Sequence, residues 1–151
     1  MADVVSPQKR SEMMAGIRGA DTKPELMIRK GLHAAGYRYR LHGKGLPGRP
    51  DIVLRKYNAL VFVHGCFWHG HDCHLFKWPK SRPEFWREKI GGNRERDERN
   101  IMALLDQGWR IATVWECALK GKLRRDPGNV IEELADWLES DIEQLEIRGM
   151  A

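Results

Sequence analysis

Three cysteines and six histidines are the residues of this chain best suited to hold a metal ion or move a proton, and most of them fall in one short segment. The run VFVHGCFWHGHDCH, from Val61 to His74, carries four of the histidines and two of the cysteines around the adjacent rings of Phe67 and Trp68. Cys66, His71 and Cys73 place three soft or borderline donors within eight residues. The remaining cysteine, Cys117, stands at the end of a later apolar run. If the strand before it neighbours the one ending at Gly65, all four donors surround one ion. Three thiolates and an imidazole form a tetrahedral zinc set, and with protein in every place such a zinc is structural rather than catalytic. The competing reading is that these are buried thiols behaving as small hydrophobes. An odd number of cysteines cannot all pair, which suits a reducing cytosol.

A second, harder site is expected beside the first. Two apolar runs, DIVLRKY and ALVFVHG, meet at Tyr57-Asn58, and asparagine tolerates the positive φ of a tight hairpin. With the turn centred there, Asp51 lies opposite His64 on one face of the sheet. A carboxylate suits a hard cation such as magnesium, and an imidazole can relay a proton. The bland alternatives are a strand-start residue after Pro50 and a packed histidine. Phe67 and Trp68, pinned between metal ligands, either project as rigid rings able to stack on bases or plug the small core beneath the loop. Lys89, Arg94, Arg96 and Arg99 could meet phosphates, but Glu95, Asp97 and Glu98 interleave with them, so that face reads as solvated.

The elements that position these groups follow from periodicity and punctuation. Residues 1–20 form a polar, basic arm or short helix, with Met13, Met14 and Ile17 at near-helical spacing. Thr22-Lys-Pro-Glu25 is a capping box opening a helix through Ile28, Leu32 and Ala35, which Gly36 ends. Alternation over Tyr37 to Leu41 is strand-like, and GKGLPGRP is a loop. Ser81-Arg-Pro-Glu84 reads as a second capping box, starting a helix interrupted at Gly91-Gly92 and stopped at Gly108. Trp109 to Glu116 is a strand, and Asp126-Pro127 starts a last amphipathic helix with Val130, Leu134, Trp137 and Leu138 inward. The order α-β-β-β-α-β-α implies an α/β domain over residues 21–140, a small mixed sheet flanked by helices, with 141–151 as a C-terminal tail.

At 151 residues the chain suits one domain with a real core. No apolar run is long enough to span a membrane, and the N-terminus lacks the apolar middle of a secretory signal, so a cytoplasmic, non-membrane protein is expected. Lys and Arg outnumber Asp and Glu by 26 to 21, a formal charge of +5 that suggests an anionic partner, nucleic acid above all.

Several segments, RSEMMAGIRGADTKPE, LPGRPDIVL, VFVHGCFWHGHDC, RPEFWREKIGGNRERD and GWRIATVWECAL, resemble the very-short-patch repair endonucleases, the Vsr family. The resemblance runs from about Ser11 to Leu119 and less distinctly into the last helix. It implies a restriction-endonuclease-like fold and a magnesium-dependent nick in one strand of double-stranded DNA beside a T:G mismatch left by deamination of 5-methylcytosine. It implies a monomer working in the bacterial cytosol, functionally linked to a cytosine-5 DNA methyltransferase and to mismatch-repair proteins. Asp51 corresponds to the metal-binding aspartate, His69 to the catalytic histidine, His64 to a phosphate-contacting one and Glu25 to a supporting acid. The Val63 carbonyl would complete the magnesium site. Cys66, His71, Cys73 and Cys117 match the zinc set. Phe67, Trp68 and Met14 match an intercalating wedge, and Lys89 and Asn93 match residues near the mismatch. The wider nuclease pattern has an acid-x-Lys where this chain has Phe62-Val-His64. The competing classes are a non-catalytic zinc DNA-binding module and a same-fold nuclease for another lesion.

Overall fold

The structure, a computed structural model, describes residues 22–150. Helix α1 (Lys23–Ala34) begins where Thr22 Oγ1 accepts the Glu25 N–H at 3.4 Å, with Pro24 in its first turn. It buries Ile28 and Leu32 and stops before Gly36, whose φ of +95° only glycine takes without strain. Strand β1 (Arg40–Leu41) is shorter than the alternation suggested, because Tyr37 and Tyr39 pack sideways on the core before pairing begins.

Strands β2 (Ile52–Leu54) and β3 (Ala59–His64) form the expected hairpin with a shifted register: Ile52 pairs with Val61 and Leu54 with Ala59. A 3-10 turn over Arg55–Tyr57 and a left-handed Asn58, at φ 50°, fill the connection. The loop is longer than a two-residue turn, so Asp51 comes level with Phe62 rather than His64. A slip of two residues preserves the face. Asp51 and His64 therefore still look out on the same side.

Helix α2 (Pro83–Asp106) runs 24 residues without a break at Gly91-Gly92. Two interior glycines cost about 1 kcal/mol each, and packing at Ile90 and Leu104 offsets this. Ser81 does not cap it; the N-cap is Arg82, left-handed at φ 52° and without a side-chain bond. Strand β4 (Arg110–Trp115) lies parallel to β3, and helix α3 (Pro127–Leu138) buries the four predicted residues. The segment read as a tail supplies a further strand, β5 (Gln144–Ile147), parallel to β4.

The sheet order is β1-β2-β3-β4-β5. One face packs on α1 and α3 through Ile52, Leu54, Ala59, Val61, Ala112 and Val114. The other packs on α2 through Val53, Leu60, Phe62 and Ile111. Covered on both sides, β2 to β4 are apolar over most of their length rather than alternating, with Arg110, Thr113 and His64 the exceptions. Because β3 and β4 are parallel, with His64 level with Trp115, their carboxyl ends emerge at the same edge. Everything chemical sits there. No helix among the described residues is long and apolar enough to cross a membrane.

Candidate active site and metal centre

The segment after β3 and the turn after β4 bring Cys66, His71, Cys73 and Cys117 together, their donor atoms all within 4.8 Å of one another. His71 Nδ1 lies 3.6 Å from both Cys66 Sγ and Cys117 Sγ. The Cys117 N–H donates to Cys66 Sγ and the Gly149 N–H to Cys117 Sγ, each at 3.3 Å. Gly149 is required for this approach, since a Cβ there would stand 2.6 Å from the Cys117 carbonyl. Burial pushes the Cys66 and Cys117 thiols up; Cys73 adds to this at both, while the Cys66 hydrogen bond opposes it at Cys117. The buried sulfurs of Cys66 and Cys117 would ionise only against a cation, and an imidazole nitrogen aimed at them completes a tetrahedral set. The donors fit a metal ion. His74 packs against Gly121, outside this set.

The second site opens on a cleft of about 1310 Å³ lined by Glu25, Asp51, Val63, His64, His69 and Asp97 among others. Asp51 Oδ2 accepts the Val63 N–H at 2.7 Å. In a strand the N–H and C=O of one residue point the same way, so the Val63 carbonyl also faces the Asp51 side. Two hard oxygens at the rim suit a hard divalent cation. Burial raises Asp51 to about 6, against the pull of the Val63 N–H and the Arg29 guanidinium. It is ionised near pH 7 yet poorly compensated, which is the condition of a waiting metal ligand. Glu25, buried in the first turn of α1, holds Arg29 and, at 3.2 Å, His42 Nε2.

His64 and His69 stack face to face, centroids 3.8 Å apart. Burial, then the neighbouring His69 and His71 rings, lowers His64 well below the usual histidine range, which favours the neutral ring. His69 Nδ1 meets Asp97 Oδ2 at 2.5 Å. A carboxylate only accepts, so Nδ1 carries a proton; in the neutral ring the lone pair then stands on Nε2, the arrangement of a base oriented by an acid. His64, His69 and Asp97 also stand close enough together to ligate a cation, but the hydrogen bond occupies the Asp97–Nδ1 pair.

Asp97 is the site residue that sequence reasoning missed, having read it as part of a solvated helix face. The signal was its spacing. Ile90, Asn93 and Asp97 lie at i, i+3, i+7 on one stripe of α2, and each meets the 68–70 loop. Ile90 packs beneath Gly70, where a Cβ would come within 2.7 Å; Asn93 Nδ2 donates to the Trp68 carbonyl at 2.9 Å. Asn93 thus holds the loop, while Lys89 lines the same cleft.

Phe67 and Trp68 are half-buried and belong to neither core cluster. Their centroids are 5.1 Å apart, and Trp86, also unanticipated, meets them at 5.3 and 5.9 Å; all three rings line the cleft. Between the metal nest and the histidine pair stands Trp115, stacked on His71 at 3.9 Å and edge-on to His64 at 5.4 Å. Its indole N–H is anchored on Glu146 of β5 at 3.0 Å. Met14 lies outside the described residues.

Comparison with known proteins is consistent with this geometry. The profile of the family described as "DNA mismatch endonuclease Vsr" matches residues 2–75. "DNA mismatch endonuclease Vsr" of Escherichia coli K12 is 43% identical over 152 residues, covering 99% of this chain and 97% of its own. "Type II nicking enzyme V.XorIIP" of Xanthomonas oryzae is 47% identical over 134 residues, 87% of this chain and 98% of its own. "Type II nicking enzyme V.NmeAIP" of Neisseria meningitidis is 45% identical over 138 residues, 90% and 99% respectively. A mixed five-stranded sheet flanked, among the described residues, by three helices, a metal-ready Cys₃His nest and near full-length relatives agree that this chain belongs to the Vsr DNA mismatch endonuclease family.

Proposed function

We propose that this enzyme nicks one strand of duplex DNA beside a T:G mismatch arising from 5-methylcytosine deamination, with magnesium as cofactor, and so starts very short patch repair. The observation that carries this reading is the meeting in one cleft of a hard-oxygen pair, Asp51 and Val63, an Asp-oriented base, His69, and the three rings of Phe67, Trp68 and Trp86.

In this mechanism Asp51 and the Val63 carbonyl would hold the divalent cation, which when bound would supply polarisation of the scissile phosphate and charge for the leaving oxygen. His69 Nε2 takes the proton of the attacking water, and Asp97 holds the ring and stabilises its charged form. His64, kept neutral, donates to the phosphate, and Glu25 orients water at the rim. Phe67 and Trp68 insert between base pairs; unstacking costs a few kcal/mol and least at a mismatch, which supplies selectivity. Cys66, His71, Cys73 and Cys117 hold a structural zinc that keeps the ring pair in place. A monomer suffices, since Asp51, His69 and the rings come from one chain. The enzyme works in the cytoplasm behind a cytosine-5 methyltransferase, with mismatch-repair proteins as functional partners. Endonuclease relatives along nearly the whole chain set aside the non-catalytic module.

The test is a panel of duplexes, each with one of the possible mismatches in several flanking contexts, incubated with and without magnesium. Nicking confined to T:G and dependent on magnesium is expected. Equal cutting of matched duplex, or of other mismatches, would instead favour a same-fold nuclease for another lesion.

A further inference from the structure

The ring cluster does not end at the cleft. Phe76 stacks on Phe67 with centroids 5.9 Å apart, and Trp78 meets Phe76 edge-on at 4.9 Å. On the other flank Phe85 meets Trp86 at 5.2 Å, with the Arg82 guanidinium 4.3 Å from the Phe85 centroid. The outer members are open to solvent: Trp78 is 51% exposed and Phe85 42%. Neither belongs to a core cluster. Between Cys73 and Pro83 the chain carries Lys77, Lys80 and Arg82, all exposed, and no carboxylate. Pro79 and Pro83 restrict the backbone on either side of Lys80 and Arg82, so the positions of these two are partly set in advance.

We propose that the 76–82 segment, with Trp78 at its tip, is a second DNA contact that grips the sugar–phosphate backbone of one duplex arm beside the mismatch. The inference rests on the reading of the cleft as the mismatch site. Three things select DNA as the occupant. The segment is continuous, ring to ring, with the wedge. Its charge is of one sign, complementary to phosphate. Its rings are flat and exposed, able to lie against sugar and base edges at the groove rim. A protein partner would have to bury three like charges with nothing on this segment to balance them. The wedge opens the duplex at one step and cannot also stop it pivoting; a contact to one side fixes the angle at which the scissile phosphate meets Asp51.

The full-length protein tests this in magnesium-free buffer, where binding is read without cutting. Trp78→Ala and, separately, Lys77→Ala with Lys80→Ala are compared with wild type on a T:G duplex of about three helical turns. The same duplex is then shortened from either end in turn. Each variant should bind the long duplex about tenfold more weakly, the scale of one lost aromatic contact or two phosphate contacts. For the lysine pair the slope of log affinity against log salt should be shallower by about 2. Preference for T:G over matched duplex should be unchanged. On one of the two shortened duplexes wild type should fall to the affinity of the variants, and the difference should vanish. Wild-type affinity in both variants on the long duplex would overturn the proposal. So would a deficit of equal size on both shortened duplexes, which would mean that the segment acts by propping Phe76 and the wedge. Because the lysine variant leaves every ring in place, a fold defect in Trp78→Ala does not remove the test. If wild type shows no mismatch preference, the cleft reading fails, and the arm-length comparison on matched duplex still decides this one.

Discussion

Asp51→Asn should make the protein inactive and, in magnesium-free buffer, more stable. The carboxylate follows a buried proline at the entrance to β2, and burial raises it to about 6 from an ordinary 3.8. A raised carboxylate favours the protonated folded state, so the ionised group weakens folding. That deficit is absent below about pH 4, grows as pH rises toward 6, and is constant above. Each unit corresponds to about 1.4 kcal/mol, giving a ceiling near 3 kcal/mol. The side chain opens on a wide cleft and is only half-buried, so solvent screening reduces this to about 1–2 kcal/mol. Asparagine retains an oxygen for the Val63 N–H, which limits the loss on the other side of the comparison. For a domain of this size the gain is about 3–6 °C in Tm at pH 7.5. Thermal melts of both proteins at pH 4, 5, 6 and 7.5 read it directly, and the two should coincide at pH 4. Millimolar magnesium should close the gap at pH 7.5 by compensating the charge in wild type alone. A variant less stable than wild type at pH 7.5 without magnesium would refute the reasoning. Arg29 would then already neutralise the carboxylate, and nothing would be poised for a cation.

Other outcomes follow from the same geometry. Asp97→Asn should leave mismatch affinity within about twofold and lower single-turnover nicking by 100-fold or more, since an amide no longer fixes the Nδ1–H tautomer; an unchanged nicking rate would remove Asp97 from the site. Cys117→Ser should reduce the metal bound per chain, measured by elemental analysis of purified protein, and destabilise the fold; full retention would leave Cys117 a core thiol. Trp68→Ala should weaken T:G duplex binding by about 1–3 kcal/mol with little change in melting, whereas a large fall in stability with normal binding of the folded fraction would show the ring to be packing. Arg110→Ala should cost about 2–4 kcal/mol by denaturant unfolding, because its guanidinium donates to the Trp137, Leu138, Ile142 and Tyr57 carbonyls; a loss under 1 kcal/mol would mean water replaces it without penalty.

How much was legible in the residues differed by the range of the interaction. The helix from Thr22 and the one from Pro127 were readable because capping and amphipathic spacing are local. Four thiol and imidazole donors declared themselves by type, although only the parallel register of β3 and β4 makes Cys117 reach the other three. The hairpin register was missed by two residues, since sequence shows that a turn occurs but not that a 3-10 turn precedes Asn58. Gly91-Gly92 looked like a break because propensity says nothing of the loop that leans on α2. Asp97 was hidden for the same reason: among interleaved charges, only contact with His69 distinguishes it. Strand β5, four residues long with two polar ones, gives too short an alternation to read, and its partner β4 alone defines it.

The metal nest has a consequence for the order in which the molecule assembles. Cys66, His71 and Cys73 lie within eight residues, so an extended chain can already chelate a soft cation through three donors. Cys117 arrives only after β4 has docked beside β3 across the 24-residue helix between them, and Gly149 reaches its sulfur only once β5 has added to the sheet. A metal held by this nest would therefore bind at both ends of the folding reaction. What it adds to stability is the difference between four enclosed donors and three loose ones, well short of the whole affinity. Pairing of segments so distant in the chain is the slow, entropically costly step. A cation loaded early rides on one side of that barrier and slows the reopening of the sheet once the fourth sulfur has closed on it: a latch on a finished structure, with little part in nucleating it.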